Sequence, residues 1–370
     1  MTDGAPVIVG LSGGVDSAVC ALLLRRRGCD VRGLFMKNWE EDDKDGYCAA
    51  ARDLADVEQV CERLSIPLHT VNFSTEYWDQ VFQDFLAELR QGHTPNPDVL
   101  CNQKIKFRAF FEHALRLGGQ YIATGHYANI VRSEEGARLY KGMDPSKDQS
   151  YFLYTLGQTP LSRTLFPVGG ISKSEVRRIA RDARLPVHDK KDSTGICFIG
   201  ERPFKAFLGR YIESCPGDIE SPEGQVIGRH DGLPFYTLGQ RQGLGIGGRR
   251  NAGSEPWYVG AKDRTRNVLI VVQGRNHPML YRQTLMAKQL HWVAGAAPRF
   301  PLRCRAKVRY RQQEQNCEVI DVGDDRCHIR FDEPQWAVTP GQSVVFYRDD
   351  ECLGGGIIDS KRHQENSRNG

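Results

Sequence analysis

Short apolar runs alternate with stretches of helical spacing through the first half of the chain. VIVGL (7–11), VRGLFM (31–36), LHTVNF (68–73) and QYIATG (120–125) each border such a stretch, the pattern of a parallel sheet wrapped by helices. A helix is clearest in TEYWDQVFQDFLAELRQG, where Trp78, Val81, Phe82, Phe85, Leu86 and Leu89 recur at steps of three and four and Gly92 supplies a stop. That stripe is core facing the sheet. In ISKSEVRRIARDARLP, Ser172 and Glu175 have capping-box spacing and Pro186 follows the last turn. Its arginines read as a solvated face, with an RNA contact as the alternative.

After Phe207 the pattern changes to glycine and short β-type runs. PWYVGAK and NVLIVVQG, with the glycine-rich LGQRQGLGIGGRRNAGS before them, predict a small β-rich region. RCRAKVRY, NCEVIDV, CHIRF and SVVFYRD then follow at the close spacing of a β-barrel or sandwich. The expected organisation is a doubly wound α/β domain over 1–207, a small β-rich domain over 208–281, a C-terminal β-barrel over 282–359 and a polar tail over 360–370. A length of 370 residues suits such a division.

Composition narrows the class. The longest purely apolar stretch, Ala18 to Leu24, is far too short to span a bilayer. MTDGAPVIVG carries neither a basic n-region nor an Arg-rich leader, so the expected location is cytoplasmic. The eleven cysteines include no C-x-x-C, which argues against a zinc ribbon, a thioredoxin pair or an ordinary iron–sulfur run. Most are expected to be small buried hydrophobes. Between Arg241 and Arg311 fifteen Lys or Arg face two acids, a local excess of +13 in a chain of net charge +4. Such a basic region on a mildly acidic remainder points to a polyanion partner.

The candidate chemistry begins at VIVGLSGGVDSAVC. A strand runs into Ser12, Gly13, Gly14, Val15, Asp16 and Ser17 and then a helix, which aims backbone N–H groups at an anion. A Walker loop would carry a lysine, yet no Lys or Arg lies between Val9 and Leu24. Transfer of a γ-phosphoryl group is therefore disfavoured. S-G-G-x-D-S resembles the pyrophosphate loop of adenylating α/β ATPases, which implies that the cradle holds departing pyrophosphate with Mg²⁺ supplying the missing charge.

Two cysteines stand out. NPDVLCNQKIKF sets Asp98 and Cys101 three residues apart after two prolines, and a first-turn position near Lys104 and Lys106 would lower the Cys101 thiol pKa. Cys197 follows a glycine-bearing turn in KKDSTGICFIG. Taken singly, either could be structural.

NPDVLCNQKIKF, ATGHYA, KDQSYFLYTL, DSTGICFIG, LGQRQGLGIGG and PGQSVVFY, in this order and across nearly the whole chain, resemble the tRNA-specific 2-thiouridylase family. The resemblance implies an adenine nucleotide alpha hydrolase-like first domain and an enzyme that uses ATP and Mg²⁺ to replace the C2 oxygen of the wobble uridine of tRNA with sulfur. By that likeness the ATP site is Gly10, Leu11, Ser12, Gly13, Gly14, Val15, Asp16 and Ser17, with Met36 and Gly125. Asn96, Pro97 and Asp98 would meet the target base, Cys101 would be the nucleophile and Cys197 the persulfide carrier. His126, Lys147, Asp148, Gln149, Arg309, Tyr310 and Gln342 would fall at tRNA contacts. A persulfide sulfur-donor protein, an anticodon stem-loop and a monomeric free state are the implied partners and assembly; no resident metal ligand set is expected.

The chemistry suits the residue types. Asp98 near the uracil N3 proton would push electron density to O2, and adenylation would turn that oxygen into a leaving group. Either the Cys197 persulfide attacks C2, or Cys101 reduces it, releasing sulfide and leaving a Cys101–Cys197 disulfide. In PLRCRAKVRYRQ, Arg303, Arg305, Lys307, Arg309 and Arg311 alternate with Leu302, Cys304, Ala306, Val308 and Tyr310, predicting a barrel wall whose cationic face needs an anion such as a tRNA backbone. Two rivals remain: an amide-forming ATP pyrophosphatase, which gives the two cysteines no role, and a nucleotide-sensing RNA-binding protein, which leaves Asp98 beside Cys101 unexplained.

Overall fold

The computed structural model describes residues 4–40, 49–192, 203–246 and 255–360. In chain order its strands are β1 (Pro6–Leu11), β2 (Asp30–Lys37), β3 (Leu68–Asn72), β4 (Tyr121–Ala123), β5 (Ala128–Ser133), β6 (Gly136–Lys141), β7 (Thr164–Leu165), β8 (Gly217–Glu220) and β9 (Val226–His230), followed by β10 (Trp257–Asp263), β11 (Val268–Gln273), β12 (Tyr281–Trp292), β13 (Leu302–Lys307), β14 (Gln315–Gly323), β15 (Arg326–Trp336), β16 (Ser343–Arg348) and β17 (Glu351–Ile358).

The four apolar runs of the first half become β1 to β4. They join β7 in a parallel sheet of order β3-β2-β1-β4-β7. Val7, Ile8 and Val9 are fully buried because helices cover both faces of the sheet. One covering segment is the aromatic stripe, where Val81, Phe82, Phe85, Leu86 and Leu89 are buried and Trp78 partly so. A π-turn at Trp78–Phe82 interrupts it, and Gly92 ends it at φ +78.

At Lys173–Asp182 only half of the expected capping box forms. Ser172 accepts from the Glu175 N–H at 3.2 Å, but the Glu175 carboxylate turns to Arg178. The guanidinium outcompetes the Ser172 N–H for that carboxylate because a charge-assisted bond is the stronger one.

β10-β11-β8-β9 form the central sheet. The barrel runs β12-β15-β14-β13-β16-β17 and closes through β17 and β12. β5 and β6 then extend it, with Glu351 opposite Tyr140 and Cys352 opposite Leu139. A hairpin from the first half of the chain is thereby built into the sheet of the last, which ties the two together through backbone hydrogen bonds. Among the described residues no helix is long and apolar enough to cross a membrane.

Candidate active site

The order β3-β2-β1-β4-β7 reverses direction between β1 and β4, and ligands of open parallel sheets bind beyond the carboxyl ends of the strands at such a point. Gly10 and Leu11 end β1 there, Met36 lies near the end of β2, and Gly125 follows β4. The helix Val15–Arg26 starts at Gly14 with no side-chain cap, which leaves its first-turn N–H groups to an anion.

Two glycines make the cradle possible. Gly13 has φ +73, and a Cβ there would sit 2.8 Å from the Asp53 carbonyl oxygen. At Gly125 a Cβ would sit 2.7 Å from the Ser17 nitrogen, so the β4 turn packs directly on the loop. Ser17 Oγ donates to the Gly14 carbonyl at 3.0 Å and lies 3.2 Å from the Ser12 N–H, which closes the loop on itself.

The cation that the loop lacks in sequence arrives from far along the chain. Lys173 Nζ, on a residue only 9% exposed, meets both Asp16 carboxylate oxygens at 2.7 and 2.9 Å. Tyr127 donates its hydroxyl to Asp16 at 2.7 Å, and burial beside that carboxylate keeps the phenol protonated. Lys173 also reaches Asp192 at 2.8 Å, where Lys147 and Arg177 converge at 2.7 and 2.6 Å. Burial acts to raise the Asp192 pKa, but the hydrogen bonds from Lys147 and Lys173 outweigh it and bring the carboxyl down to about 2. An ammonium that the loop sequence does not announce thus stands beside it. Local sequence could not reveal it. The one available sign was a lysine at the start of a capped helix.

Asn96 caps the next functional segment, its side chain accepting from the Asp98 and Val99 N–H groups at 3.2 and 3.4 Å, with Pro97 in the first turn. The helix Pro97–Cys101 continues through a π-turn, Asn102–Ala109, into Phe110–Arg116. This run precedes β4, which is parallel to β1, so it travels back against the strands and its N-terminus lies at the carboxyl edge with the loop. Phe110 abuts Gly10, where a Cβ would come within 3.3 Å of its ring. Cys101 therefore lies on the order of 10 Å along the helix from that contact, towards the edge.

Asp98 Oδ1 is buried and has no hydrogen-bond partner among the described residues. A buried acceptor left unmade is costly, and a ligand N–H would relieve it. Cys101 is 1% exposed within the aromatic core. Burial pushes its thiol up to about 11, more than Lys106 lowers it. The expected depression of that pKa is corrected, since desolvation of a thiolate exceeds the pull of one nearby ammonium. Cys197 lies outside the described residues.

Residues 5–201 match the family model described as a tRNA methyl transferase HUP domain, 205–273 a tRNA methyl transferase PRC-barrel domain, and 282–358 an aminomethyltransferase beta-barrel domain. A tRNA-specific 2-thiouridylase MnmA of Methylococcus capsulatus is 63% identical over 355 residues, covering 95% of this chain and 96% of the relative. The chain belongs to the tRNA-specific 2-thiouridylase family. A 2-thiouridylase MnmA of Francisella tularensis subsp. novicida is 58% identical over 353 residues, 95% of this chain and 98% of its own. Among solved structures, the U34-tRNA thiolase NcsA from Methanococcus maripaludis with its 4Fe-4S cluster is 19% identical with a TM-score of 0.36, over 54% of this chain and 62% of that one.

Several residues expected at tRNA contacts carry bonds within the fold. His126 is 8% exposed, bonded to Thr124 Oγ1 at 2.7 Å and packed between Phe107 and Phe166; burial holds its imidazole neutral. Asp148 is 5% exposed and accepts from the Gly142 and Ser150 N–H groups, both at 3.1 Å. Gln149 accepts from the Tyr127 N–H at 3.0 Å, and so supports the tyrosine that holds Asp16. In the free chain His126 and Asp148, both expected at tRNA contacts, are buried and satisfy polar groups inside the fold.

The basic row is corrected as well. β13 ends at Lys307, so Arg309 and Tyr310 leave the alternation. Arg303 pairs with Asp332 at 2.8 Å, Arg305 with Glu314 at 3.5 Å, and Lys307 with Asp148 and Glu314 at 3.5 and 3.6 Å. Acids from elsewhere in the chain pair with the first three cations of a row that looked unpartnered when only near neighbours were counted. Arg309 points inward, donating to the Leu238 and Ala337 carbonyls and to Thr339 Oγ1 at 2.6 to 3.0 Å. Tyr310 packs against Phe152, ring centroids 4.3 Å apart and tilted by 46°.

Gln342 proves informative in another way. Its Nε2 donates to the Thr94 carbonyl at 2.7 Å, while the Thr94 N–H donates to the Pro340 carbonyl at 2.9 Å. From the central sheet, Lys262 Nζ donates to the Gly92 carbonyl at 3.0 Å. The irregular lead into Asn96, Pro97 and Asp98 is thus gripped from both β regions.

Proposed function

We propose that this chain is an ATP-dependent tRNA-uridine 2-sulfurtransferase acting on C2 of the wobble uridine. The reading rests on one relationship: the helical run that carries Asp98 and Cys101 packs, through Phe110, on Gly10 at the end of the strand that feeds the anion cradle Gly13–Ser17. The glycine-lined approach at Gly13 and Gly125 and the uncapped helix start suit the phosphates of ATP. Mg²⁺, when bound, would neutralise phosphate charge, and Asp16 is the carboxylate on the loop for it. Among the described residues no cluster of three or more His, Cys, Asp or Glu stands ready to hold a metal.

Asp98 accepts the proton of uracil N3 at its unpartnered oxygen, which drives electron density to O2. That oxygen attacks the α-phosphorus, and pyrophosphate leaves across the loop with Lys173 beside it. The terminal sulfur of a persulfide on Cys197 then reaches C2, and AMP departs with the oxygen. Cys101 sulfur then attacks Cys197 Sγ and breaks its bond to the transferred sulfur, which stays on C2 as the thiocarbonyl; an external thiol reductant must reduce the resulting Cys101–Cys197 disulfide before the next turnover.

The decisive experiment is mass spectrometry of nucleosides after tRNA is incubated with the protein, ATP, Mg²⁺ and a persulfide source. The expected product is 2-thiouridine, formed with AMP and abolished in Cys197→Ser while tRNA binding persists. Robust 2-thiouridine from Cys197→Ser refutes the persulfide role. Affinity for tRNA should also fall steeply with ionic strength.

A further inference from the structure

We propose that Cys304 and Cys317 form a reversible dithiol–disulfide site on the barrel, oxidised by a hydroperoxide that enters the cleft beside them. This inference stands apart from the sulfur-transfer reading and uses neither of its cysteines. Cys304 on β13 and Cys317 on β14 are directly opposed in the antiparallel register, and their sulfurs are 3.7 Å apart. Opposed residues of such a pair have Cα atoms about 4.5 to 5.5 Å apart, inside the range a disulfide spans.

Access comes from a gap in the sheet. β13 pairs with β14 over Leu302–Ala306 but with β16 only over Arg305–Lys307. The edge at Arg303 and Cys304 is left uncovered, and a cleft of about 400 Å³ opens there, lined by both cysteines with Arg303, Arg305, Arg348 and Asp332. Cys317 is fully buried, whereas Cys304 is half-buried and faces the opening. The geometry therefore assigns the first attack to Cys304 and the second to Cys317.

The step balances. Cys304 sulfur, giving up its proton, attacks one peroxide oxygen; the O–O bond breaks, water leaves and Cys304 carries a sulfenic acid. Cys317 sulfur attacks the Cys304 sulfur, and the sulfenic hydroxyl leaves as a second water with the remaining proton. Two thiols lose two electrons and the peroxide gains them. The bond would tie β13 to β14 at the base of the turn that carries Arg309 and Tyr310.

The test treats the full-length protein with hydrogen peroxide, alkylates remaining thiols and digests with a glutamate-specific protease. Cleavage after Glu223, Glu314 and Glu318, with the Glu255–Pro256 bond left intact, leaves Cys304 as the sole cysteine of residues 224–314 and Cys317 within QNCE. Only a disulfide can join those peptides. The expected result is the joined species, two hydrogen masses below the sum, lost on thiol reduction and absent from Cys304→Ser and Cys317→Ser. Unfolding in urea before oxidation should disperse the link among other cysteines. Recovery from the folded wild-type protein of Cys304 as sulfinic acid, as an alkylated thiol, or linked to a different cysteine overturns the proposal. Because the wild-type peptides decide the outcome, the test does not depend on either variant folding.

Discussion

Lys173 Nζ lies 2.7 Å from Asp16 Oδ1, although 157 residues separate the two. The pair gives the phosphate loop a positive charge that a Walker loop would carry within its own sequence. In the proposed reaction the ammonium steadies pyrophosphate as it departs. Replacing it with methionine, Lys173→Met, keeps the stem and removes the charge. Turnover of ATP to AMP is expected to fall about 10²- to 10³-fold, the usual cost of one preorganised charge-stabilising donor. Affinity for tRNA should hold. Turnover at the wild-type rate would take Lys173 out of the loop's chemistry.

The glycines at the cradle make a steric prediction. A methyl at Gly125 would press on the Ser17 nitrogen at 2.7 Å and the Asp16 carbonyl carbon at 2.8 Å, backbone atoms that cannot swing aside. Gly125→Ala should displace the loop and weaken ATP binding by about 10²-fold, as ångström-scale misplacement does. Gly13→Ala adds unfavourable backbone geometry at φ +73 and should also lower stability, by about 1 to 3 kcal/mol. Calorimetric titration with a non-hydrolysable ATP analogue, set beside thermal unfolding, separates the two effects. Wild-type affinity in both variants would place the nucleotide elsewhere.

Much of this was legible because its causes are local. Apolar runs such as VIVGL become buried parallel strands because period and burial are set within a few residues. Ser172 and Gly92 cap or stop helices for equally local reasons. What escaped the sequence depends on distant partners. Lys173 meets Asp16 and Lys307 meets Asp148 only once the fold is formed, so a charge count along one strand missed the acids that pair with its first three cations. The Cys101 pKa was misjudged for the same reason. Neighbours in sequence are cationic, but the surrounding aromatic core, gathered from remote segments, decides the balance. The hairpin β5 and β6 shows no sign in its own residues that its partner is β17.

Burial of Cys101 sets a pH dependence. An unfolded thiol ionises near 9.0 and this one near about 11, so between those values the unfolded chain holds fewer protons than the folded one. The stability linked to Cys101 is complete below 9.0 and declines as pH climbs towards 11. Cys101→Ala should flatten that limb of the stability curve. In the free protein at pH 8, roughly one Cys101 in a thousand is thiolate. Its alkylation by iodoacetamide should therefore lag far behind that of exposed Cys215, and addition of tRNA should accelerate it if substrate opens the site. Equal rates at both cysteines in the free protein would contradict the burial.

The grip on the segment ahead of Asn96 predicts coupling between the β regions and the reaction. Gln342 holds the Thr94 carbonyl from the barrel, and Lys262 holds the Gly92 carbonyl from the central sheet. Burial brings the Lys262 ammonium down to about 8, so that donor is already poised to lose its charge. Gln342→Leu removes one grip and Lys262→Met the other, and neither touches the cradle. Each single change should lower thiolation several-fold, about 1 kcal/mol, the worth of one ordinary hydrogen bond. Both bonds restrain one short segment, so losing the second after the first frees little that was not already free. The double variant should therefore fall short of the summed effects by at least about 0.5 kcal/mol in a double-mutant cycle. Full additivity would mean that the two contacts act independently and that the segment does not link the β regions to Asp98 and Cys101.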